Sequence, residues 1–373
     1  MSSVIERIET LLVDLPTIRP HKLSMTTMAC QTMVIVRMLH SDGIEGLGEA
    51  TTIGGLAYGP ESPESIKTNI DTYLAPLLIG QPSGNVHGLR ARLNRQARGN
   101  TIAKSALETA LLDAQGKRLG LSVAELLGGA RQTHLPVLWT LASGDTRKDI
   151  DEALLRLEQR RHGDFKLKIG ANPVDQDVRH VAAIKEALGD RASVRVDVNQ
   201  AWDEPTAVRG IQALQDAGIE LIEQAIPARE HAGLTRLANR FNVPMLADEA
   251  VQDAHDGLAL AAGGFSGAFA LKIAKSGGLH GVLELAHVAK AAGIGLYGGT
   301  LLEGTIGTAA ALHAWATLPE MAWGTEMFGP LLLTDDIVAE PLTYRDFGVE
   351  LPGGPGLGIT LDEDKLAHYA RKH

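Results

Sequence analysis

From about residue 135 to residue 325, short β-rich apolar runs alternate with segments whose apolar residues recur at helical spacing. The segments 174–188 and 206–217 each place valine, isoleucine and leucine on one face, which is typical of helices that pack on a sheet. Eight strands alternating with helices at this period predict a (β/α) barrel. The predicted strands are 135–141, 164–169, 193–198, 219–223, 244–248, 268–273, 293–297 and 321–325. An open doubly wound sheet is the alternative, but no GxGxxG motif follows the first strand.

The residues before this alternation have an α+β pattern. Residues 32–49 form two apolar runs on either side of a Ser-Asp-Gly turn, which predicts a β-hairpin. Helical spacing follows at 64–80 and 101–127, and the glycine pair 128–129 is expected to end the second helix. The C-terminal stretch is rich in proline and glycine, so we expect it to be irregular and to pack back on the N-terminal part.

Composition and charge narrow the class of protein. The chain has 373 residues, of which 45% are hydrophobic and 21% charged, and these values are ordinary for a soluble globular protein. No apolar run approaches the roughly 20 residues that a membrane helix needs. The net charge of -10 and the lack of a basic run argue against a nucleic-acid partner. With one cysteine, Cys30, and no signal-peptide pattern, we expect a cytoplasmic protein without a membrane partner.

Charged side chains share one face of the second and third predicted barrel strands. Because side chains alternate along a strand, Lys166 and Lys168 point away from their apolar neighbours, and Asp197 lies on the corresponding face of the next strand. The residues at the ends of the following three strands are Glu223, Asp248 and Lys272. Active sites of barrel enzymes lie at this end of the strands.

Three of these residues, Asp197, Glu223 and Asp248, are carboxylates from neighbouring strands. Burying a carboxylate is costly unless it is paired or bound to a cation, and all-oxygen ligation suits Mg²⁺ or Mn²⁺ better than zinc. A strand-end cap or a salt bridge would explain any one of them alone. Three at successive strand ends, with lysines on either side, favour one divalent cation.

The lysines indicate the chemistry beside that cation. Lys166 and Lys168 form a like-charge pair and the metal adds positive charge, so we expect a lowered pKa that lets Lys168 exchange a proton near neutral pH. Lys272 would approach from across the barrel. A carboxylate substrate between them could lose or gain its α-proton while the cation stabilises the enediolate. A solvated strand edge is the alternative for the lysine pair.

Weaker candidates lie outside this group. Glu326, at the end of the eighth predicted strand, could relay protons, hold a lysine, or close the barrel through a structural ion pair. Residues 14–22 combine two prolines with basic side chains and are expected to be either a basic flap over an anionic ligand or an ordered loop. Tyr58 could line a pocket or pack at the surface.

The assembled residues resemble the muconate-lactonizing subgroup of the enolase superfamily, whose sites are a known case of a lysine or histidine base working with Mg²⁺. The matching pieces are Lys166-Leu-Lys168, Asp197-Val-Asn199, Glu223-Gln224, Asp248-Glu249 and Lys272 followed by Gly277-Gly278. The resemblance covers essentially the whole chain, including VDLPTIRPHKL, FKLKIGANP and WGTEMFGPLLLTD. One departure follows the second predicted ligand, Glu223. The subgroup usually has Gln-Pro after this ligand, whereas here Gln224 is followed by Ala225. We expect a local backbone change there and no loss of the ligand.

The resemblance implies an enolase-like α/β fold. A capping α+β domain, residues 1–130, would cover a (β/α)₇β TIM-like barrel, residues 131–326, and residues 327–373 would pack back on the cap. It also implies reversible cycloisomerisation of cis,cis-muconate to muconolactone, in the catabolism of aromatic compounds. One Mn²⁺ (or Mg²⁺) per subunit and a homo-oligomer as large as an octamer are expected by the same resemblance.

The resemblance also assigns roles to residues. Lys168 would exchange the α-proton, with Lys272, Lys166 and Glu326 as further catalytic residues. The implied substrate-binding residues are Ile53, Tyr58, Asn199 and Phe328. Chloromuconate cycloisomerases, N-acylamino acid racemases and o-succinylbenzoate synthases use the same half-reaction, so the barrel core cannot separate these activities. A non-enzymatic barrel is a further alternative, but it predicts loss of acid–base residues that are all present here.

Overall fold

The computed structural model describes residues 3–23 and 25–372, and its N-terminal part is built on a three-stranded antiparallel sheet. In sheet order the strands are β1 Ile5–Lys22, β2 Thr27–His40 and β3 Glu45–Thr51. β2 and β3 form the hairpin predicted at 32–49, which is confirmed. β1 continues through residues 14–22, so the loop predicted there is wrong. The strand register shifts between Pro16 and His21, because prolines have no N–H to donate to the neighbouring strand.

Helices follow this sheet in the chain. They are α1 Pro63–Asn69, a π-helical turn Ile70–Leu74, α2 Ala75–Leu78, α3 Val86–Gln96, α4 Thr101–Leu119 and α5 Val123–Leu126. The single helix predicted at 101–127 is wrong in extent, because Gly120 adopts a left-handed φ of 70° and ends α4. Ser122 and Glu125 then start α5 with a capping box, so the glycine pair 128–129 follows the shorter helix.

The contact between α4 and β3 is unusually close because Gly46 and Gly48 present no side chain to the helix. A Cβ atom on either glycine would lie 2.0 Å from the backbone oxygen of Ala110 or Ala106, respectively. Interior packing leaves no room for such an atom without moving the backbone. These two glycines therefore fix the distance between the helix and the sheet.

Parallel strands form the main sheet of the described residues, in the order β5 to β11. They are β5 Trp139–Leu141, β6 Asp164–Lys168, β7 Ser193–Asp197, β8 Leu221–Glu223, β9 Met245–Ala247, β10 Ala268–Leu271 and β11 Gly295–Gly298. Thr325 closes the sheet, since it bridges Val137 just before β5 and Gly298 at the end of β11. The predicted barrel is confirmed, although the eighth strand, predicted at 321–325, is reduced to this single bridging residue.

Helices connect the barrel strands in a repeating β/α order. They are α6 Thr146–Glu158, α7 Val174–Leu188, α8 Glu204–Asp216, α9 His231–Arg240, α10 Ala254–Ala262, α11 Leu279–Ala291 and α12 Thr305–Thr317. The helix predicted at 174–188 coincides with α7, and the one predicted at 206–217 corresponds to α8. Within residues 3–23 and 25–372, no helix is both long enough and apolar enough to cross a membrane.

The C-terminal stretch is more regular than predicted. It contains α13 Gly329–Leu332, β12 Tyr344–Arg345, β13 Gly348–Glu350 and α14 Glu363–Tyr369. β13 pairs with β4, His134–Pro136, so the strand predicted at 135–141 is divided between this small sheet and the barrel. After α14, Arg371 forms ion pairs with Asp14 and Glu64 of the N-terminal part. The domain limits of 1–130, 131–326 and 327–373 remain a prediction.

Candidate active site

Strand β6 carries both predicted lysines to a group of carboxylates contributed by other strands. Phe165 and Leu167, on the opposite face of β6, have no exposed surface. Lys166 and Lys168 lie beside Asp197, which ends the neighbouring strand β7. The side-chain alternation inferred from the sequence is therefore confirmed for this strand.

Lys166 is enclosed by acidic side chains. Its Nζ atom lies 2.8 Å from Glu223 Oε2 and 3.9 Å from Asp197 Oδ2, and it forms a further ion pair with Glu326. Burial opposes the charged form of this lysine, but the charges of Glu223 and Glu326 outweigh burial and hold the pKa of Lys166 well above its usual value. The surrounding carboxylates therefore outweigh the neighbouring lysine at Lys166, and the lowering expected beside a bound cation stays a prediction.

Asp197 is positioned by both backbone and side-chain donors. The backbone N–H of Asn199 donates to Asp197 Oδ1 at 2.8 Å, and the Asn199 amide donates to Oδ2 at 3.1 Å. Lys168 forms an ion pair with the same carboxylate. Asn199 has a left-handed φ of 45°, which is uncommon for a residue with a side chain and is frequent at functional sites.

Asp248 follows β9 and is held by three groups. Lys272 Nζ and Lys275 Nζ lie 2.7 Å from its two carboxylate oxygens, and the Tyr58 hydroxyl donates to Oδ2 at 3.1 Å. Burial alone would raise the pKa of Asp248, but the two lysine charges hold it far below the usual range. Lys272 also lies 3.0 Å from the Tyr58 hydroxyl. Tyr58 therefore belongs to the site and is not only a surface packing residue.

A narrow cleft joins the two lysine groups at the boundary between the N-terminal sheet region and the barrel. Lys168 and Lys272 both line the cleft, and their strands are four positions apart in the sheet, so they face it from opposite sides. The other predicted residues that line it are Ile53, Tyr58, Asn199, Glu223, Asp248, Glu326 and Phe328. Asp197 and Lys166 lie behind this lining, in contact with Lys168 and Glu223 respectively.

The basic segment 14–22 contributes to this cleft in part. His21 is buried and lines the cleft, where burial and then the charge of Arg19 lower its pKa to about 3. The Arg19 charge is paired within the fold. Its guanidinium donates to Thr140 O at 3.2 Å and forms an ion pair with Glu152.

The three predicted metal ligands lie at adjacent strand ends, but lysine ammonium groups lie next to each of them. Among residues 3–23 and 25–372, no group of three or more histidine, cysteine or acidic side chains is arranged around a common point as it stands. The donor chemistry nevertheless fits a hard cation. Asn199 Oδ1 and Glu249 Oε2 are buried acceptor oxygens without a hydrogen-bond partner, and the Asn199 amide joins Asp197 to Glu249. Unpaired acceptors beside carboxylates suit Mg²⁺ or Mn²⁺.

No role was predicted for Lys275 or Gln224, which both contact Asp248 or its neighbours. Lys275 donates to the backbone oxygen of Asp248 at 2.6 Å as well as to its carboxylate. Gln224 accepts from the N–H groups of Asp248 and Ala250 at 3.0 and 3.1 Å, which ties the ends of β8 and β9 together. The only sequence signal for Lys275 is its place three residues after Lys272. This spacing brings both lysines to Asp248 only if the backbone turns after β10, and the sequence alone does not show that turn.

The fold and the site define an enolase-like enzyme, in which an α+β cap covers a barrel that presents lysines and carboxylates at its strand ends. The family description "Mandelate racemase / muconate lactonizing enzyme, N-terminal domain" matches residues 7–128, and "Enolase C-terminal domain-like" matches residues 148–365. The chain therefore belongs to the mandelate racemase / muconate lactonizing enzyme family. Membership in this family implies dependence on a divalent metal.

Known proteins similar to the chain include cycloisomerases of two kinds. The chain is 60% identical to muconate cycloisomerase 1 of Pseudomonas putida, with all of both chains covered. It is 48% identical to a chloromuconate cycloisomerase of Pseudomonas sp. (strain P51), over 98% of this chain and 99% of that one. Among solved structures, the muconate lactonizing enzyme of Pseudomonas fluorescens complexed with muconolactone matches with a TM-score of 0.98 and 60% identity, covering 100% of both chains.

Proposed function

We propose that this protein catalyses the reversible cycloisomerisation of cis,cis-muconate to muconolactone. The observation that carries the proposal is the placement of Lys168 and Lys272 on opposite sides of one carboxylate-lined cleft. Such a pair suits a substrate whose α-carbon gains or loses a proton beside a carboxylate. The 60% identity to muconate cycloisomerase 1, and to a structure that holds muconolactone, supports muconate as the substrate.

The reaction needs no co-reactant other than a proton. One carboxylate oxygen of muconate forms a C–O bond to a carbon of the conjugated diene, and the displaced electron pair moves toward the other carboxylate. The α-carbon of that second carboxylate then takes a proton, and the dianion becomes a lactone with one carboxylate. The reverse reaction removes the same proton and breaks the same C–O bond.

Lys168 is our candidate for the proton donor, and the base in the reverse direction. Its side chain is 12% exposed, compared with 2% for Lys166 and 3% for Lys272, so its ammonium group is accessible from the cleft. Lys272, fixed by Asp248 and Tyr58, would face the other side of the substrate and balance negative charge there. From behind the cleft, Lys166 would hold the Glu326 and Glu223 carboxylates in position through its ion pairs with them.

Asp197, Glu223 and Asp248 would hold one divalent cation per subunit, Mn²⁺ or Mg²⁺. When bound, the cation supplies positive charge beside a substrate carboxylate and lowers the cost of negative charge developing on it. Asn199 would orient Asp197 through its two donated hydrogen bonds, and its buried Oδ1 atom has no hydrogen-bond partner.

The remaining cleft residues would fit the substrate's carbon skeleton and its carboxylates. Ile53 and Phe328 provide apolar surface for the diene, and both are buried. Tyr58 and Asn199 provide polar groups near the lysines. We assign these four residues to substrate binding.

The metal assignment predicts that Asp197→Asn lowers the affinity for Mn²⁺ more than it changes the fold. The amide keeps the shape of the side chain but removes one negative charge from the cation site. Metal content and metal-dependent fluorescence titration of the purified variant measure this effect. Asp190→Asn, on an exposed residue after α7, is the matched control. Equal metal affinity in the Asp197 variant and native protein would exclude Asp197 as a ligand.

Muconate turnover tests the proposed function directly. The loss of the ultraviolet absorbance of cis,cis-muconate is measured with Mn²⁺ or Mg²⁺ present, beside a chlorinated muconate and the exchange of the α-proton in N-acyl amino acids. We expect the unsubstituted muconate to have the highest kcat/KM. Brisk racemisation or proton exchange without muconate turnover would overturn the proposal, and preference for the chlorinated substrate would assign the chloromuconate activity.

We also propose that the enzyme works in the cytoplasm as a homo-oligomer as large as an octamer. Both parts of this proposal rest on the resemblance to the muconate-lactonizing enzymes, and the chain is 60% and 54% identical to two bacterial muconate cycloisomerases. Light scattering coupled to size-exclusion chromatography measures the mass of the particle, and a monomeric mass in the presence of metal would contradict it.

A further inference from the structure

The loop 299–304, between β11 and α12, contains a strained residue in the wall of the cleft. Leu302 lines the cleft and is 4% exposed. Its φ is 63°, in the left-handed region that side chains other than glycine and asparagine rarely adopt. A leucine persists in this conformation only when its surroundings hold it there.

Part of the restraint comes from the loop itself. The Leu302 N–H donates to Thr300 Oγ1 at 2.8 Å, and the Leu301 N–H donates to Glu303 Oε2 at 2.9 Å. Thr300 also hydrogen-bonds to Glu303. These bonds satisfy the N–H groups of Leu301 and Leu302 but leave the carbonyl oxygens of both residues to other donors.

The N-terminal sheet supplies those donors. Gln31, on β2, is 1% exposed, and its Nε2 atom donates to both Leu301 O and Leu302 O at 3.0 Å. Both acceptors are carbonyl oxygens, so only the nitrogen side of the amide can face them. Thr51, at the end of β3, adds a second donor to Leu301 O at 3.3 Å.

The end of the same loop is fixed from the sheet as well. Glu49, on β3, accepts from the N–H groups of Gly304 and Gly307 at 2.6 and 2.8 Å, at the start of α12. Carboxylates are favourable at a helix N-terminus. Gln31 and Glu49 therefore hold the carbonyl and amide groups on successive parts of one loop.

We propose that Gln31 is a positioning residue that sets the shape of the cleft by holding Leu302 in its left-handed conformation. The substrate contacts Leu302, and Gln31 acts only through it, from a strand outside the barrel. The apolar Leu302 side chain would then determine how well the diene portion of the substrate fits. This inference rests on the proposed function, because it assigns that fit to the same cleft.

Kinetics of Gln31→Met provide the first test. Methionine has a similar length but no donor, so the two carbonyls lose their partner and Leu302 is expected to relax to a negative φ. Leu302 contacts the substrate in both the bound and the transition state, so we expect KM for muconate to rise about tenfold with kcat changed less than about threefold. Gln212→Met, on the exposed face of α8, should leave both constants unchanged.

A second measurement separates positioning from a general loss of structure. Leu302→Gly removes both the strain and the side chain, so adding Gln31→Met to it should raise KM no further. Additive effects, or a Gln31→Met variant that melts earlier with unchanged KM, would overturn the proposal. A crystal structure of Gln31→Met tests the geometry without any substrate, and a φ of Leu302 that stays near +60° would also overturn it. Failure of the native protein to turn over muconate would instead contradict the proposed function.

Discussion

Lys168 and Lys275 are both paired with carboxylates of the site, but only Lys168 is placed where it can contact a substrate. Lys275 is 3% exposed, donates to both the carboxylate and the backbone oxygen of Asp248, and does not line the cleft. Its positive charge therefore stabilises the ionised form of the Asp248 carboxylate. Lys168 is more exposed and lines the cleft, so it can reach a reacting carbon atom.

This difference predicts the consequence of removing each lysine. Lys168→Ala should lower kcat for muconate by roughly 10²- to 10⁴-fold, which is the usual contribution of a positioned acid–base group, because no other cleft lysine lies on its side. The circular dichroism spectrum and metal content should remain close to native. Lys290→Ala, on the exposed face of α11, is the matched control. A Lys168→Ala variant with kcat within tenfold of native would contradict the assigned role.

The identity of the charged residues could be predicted from the sequence, but their mutual electrostatics could not. Strand alternation was sufficient to bring Lys166, Lys168 and Asp197 together. The direction of the Lys166 pKa shift depends on the distances to Glu223 and Glu326, and those distances depend on how the barrel closes. Such closure brings together residues far apart in the chain, which periodicity does not describe.

At the scale of elements, strict periodicity identified the barrel, whereas single residues decided where elements end. The run of apolar positions at helical spacing continues past Gly120, so only the left-handed conformation of that glycine shows that α4 ends there. In β1 the two prolines suggested a loop, but the strand continues with a shift in register. The eighth strand is shorter than predicted, since Thr325 alone forms bridges to both Val137 and Gly298.

The packing of α4 on β3 predicts that Gly48→Ala destabilises the protein. The new Cβ would lie 2.0 Å from Ala106 O, so the helix or the strand must shift, at a cost of roughly 1–3 kcal/mol or more. Urea unfolding followed by circular dichroism measures the change. Gly84→Ala is the matched control, because no atom lies within 4 Å of its added Cβ. Equal unfolding midpoints for the two variants would show that α4 and β3 are not in this close contact.

For the whole molecule, one buried histidine, His313, connects distant parts of the chain in its neutral form. His313 on α12 accepts from the Ala124 N–H at 3.2 Å and lies 3.1 Å from Leu357 O, to which its other ring nitrogen donates. This arrangement needs an unprotonated Nδ1 atom, and burial lowers the pKa of His313 to about 4. Burial likewise lowers the pKa of His40 and of His162 to about 4.

These histidines predict a loss of stability in mild acid. In the unfolded chain each would titrate near its ordinary pKa of about 6.5, so between about pH 6.5 and pH 4 the unfolded state binds more protons than the folded state. The contribution of these histidines to the free energy of unfolding should therefore be fully present above pH 6.5 and decrease as the pH falls through this window, by up to about 3 kcal/mol per histidine. Below about pH 4 this contribution ends, because the folded state takes up the proton as well.

Comparison with a variant isolates the part due to His313. His313→Gln keeps one acceptor and one donor but cannot be protonated, so it should be less stable than native at pH 7 and have a shallower pH dependence between pH 7 and pH 4.5. Urea unfolding at a series of pH values measures both quantities. His255→Gln, on an exposed residue of α10, should retain the native slope. An identical slope in the His313 variant and the native protein would mean that folding does not shift the pKa of His313, and that the Ala124 hydrogen bond does not fix its neutral form.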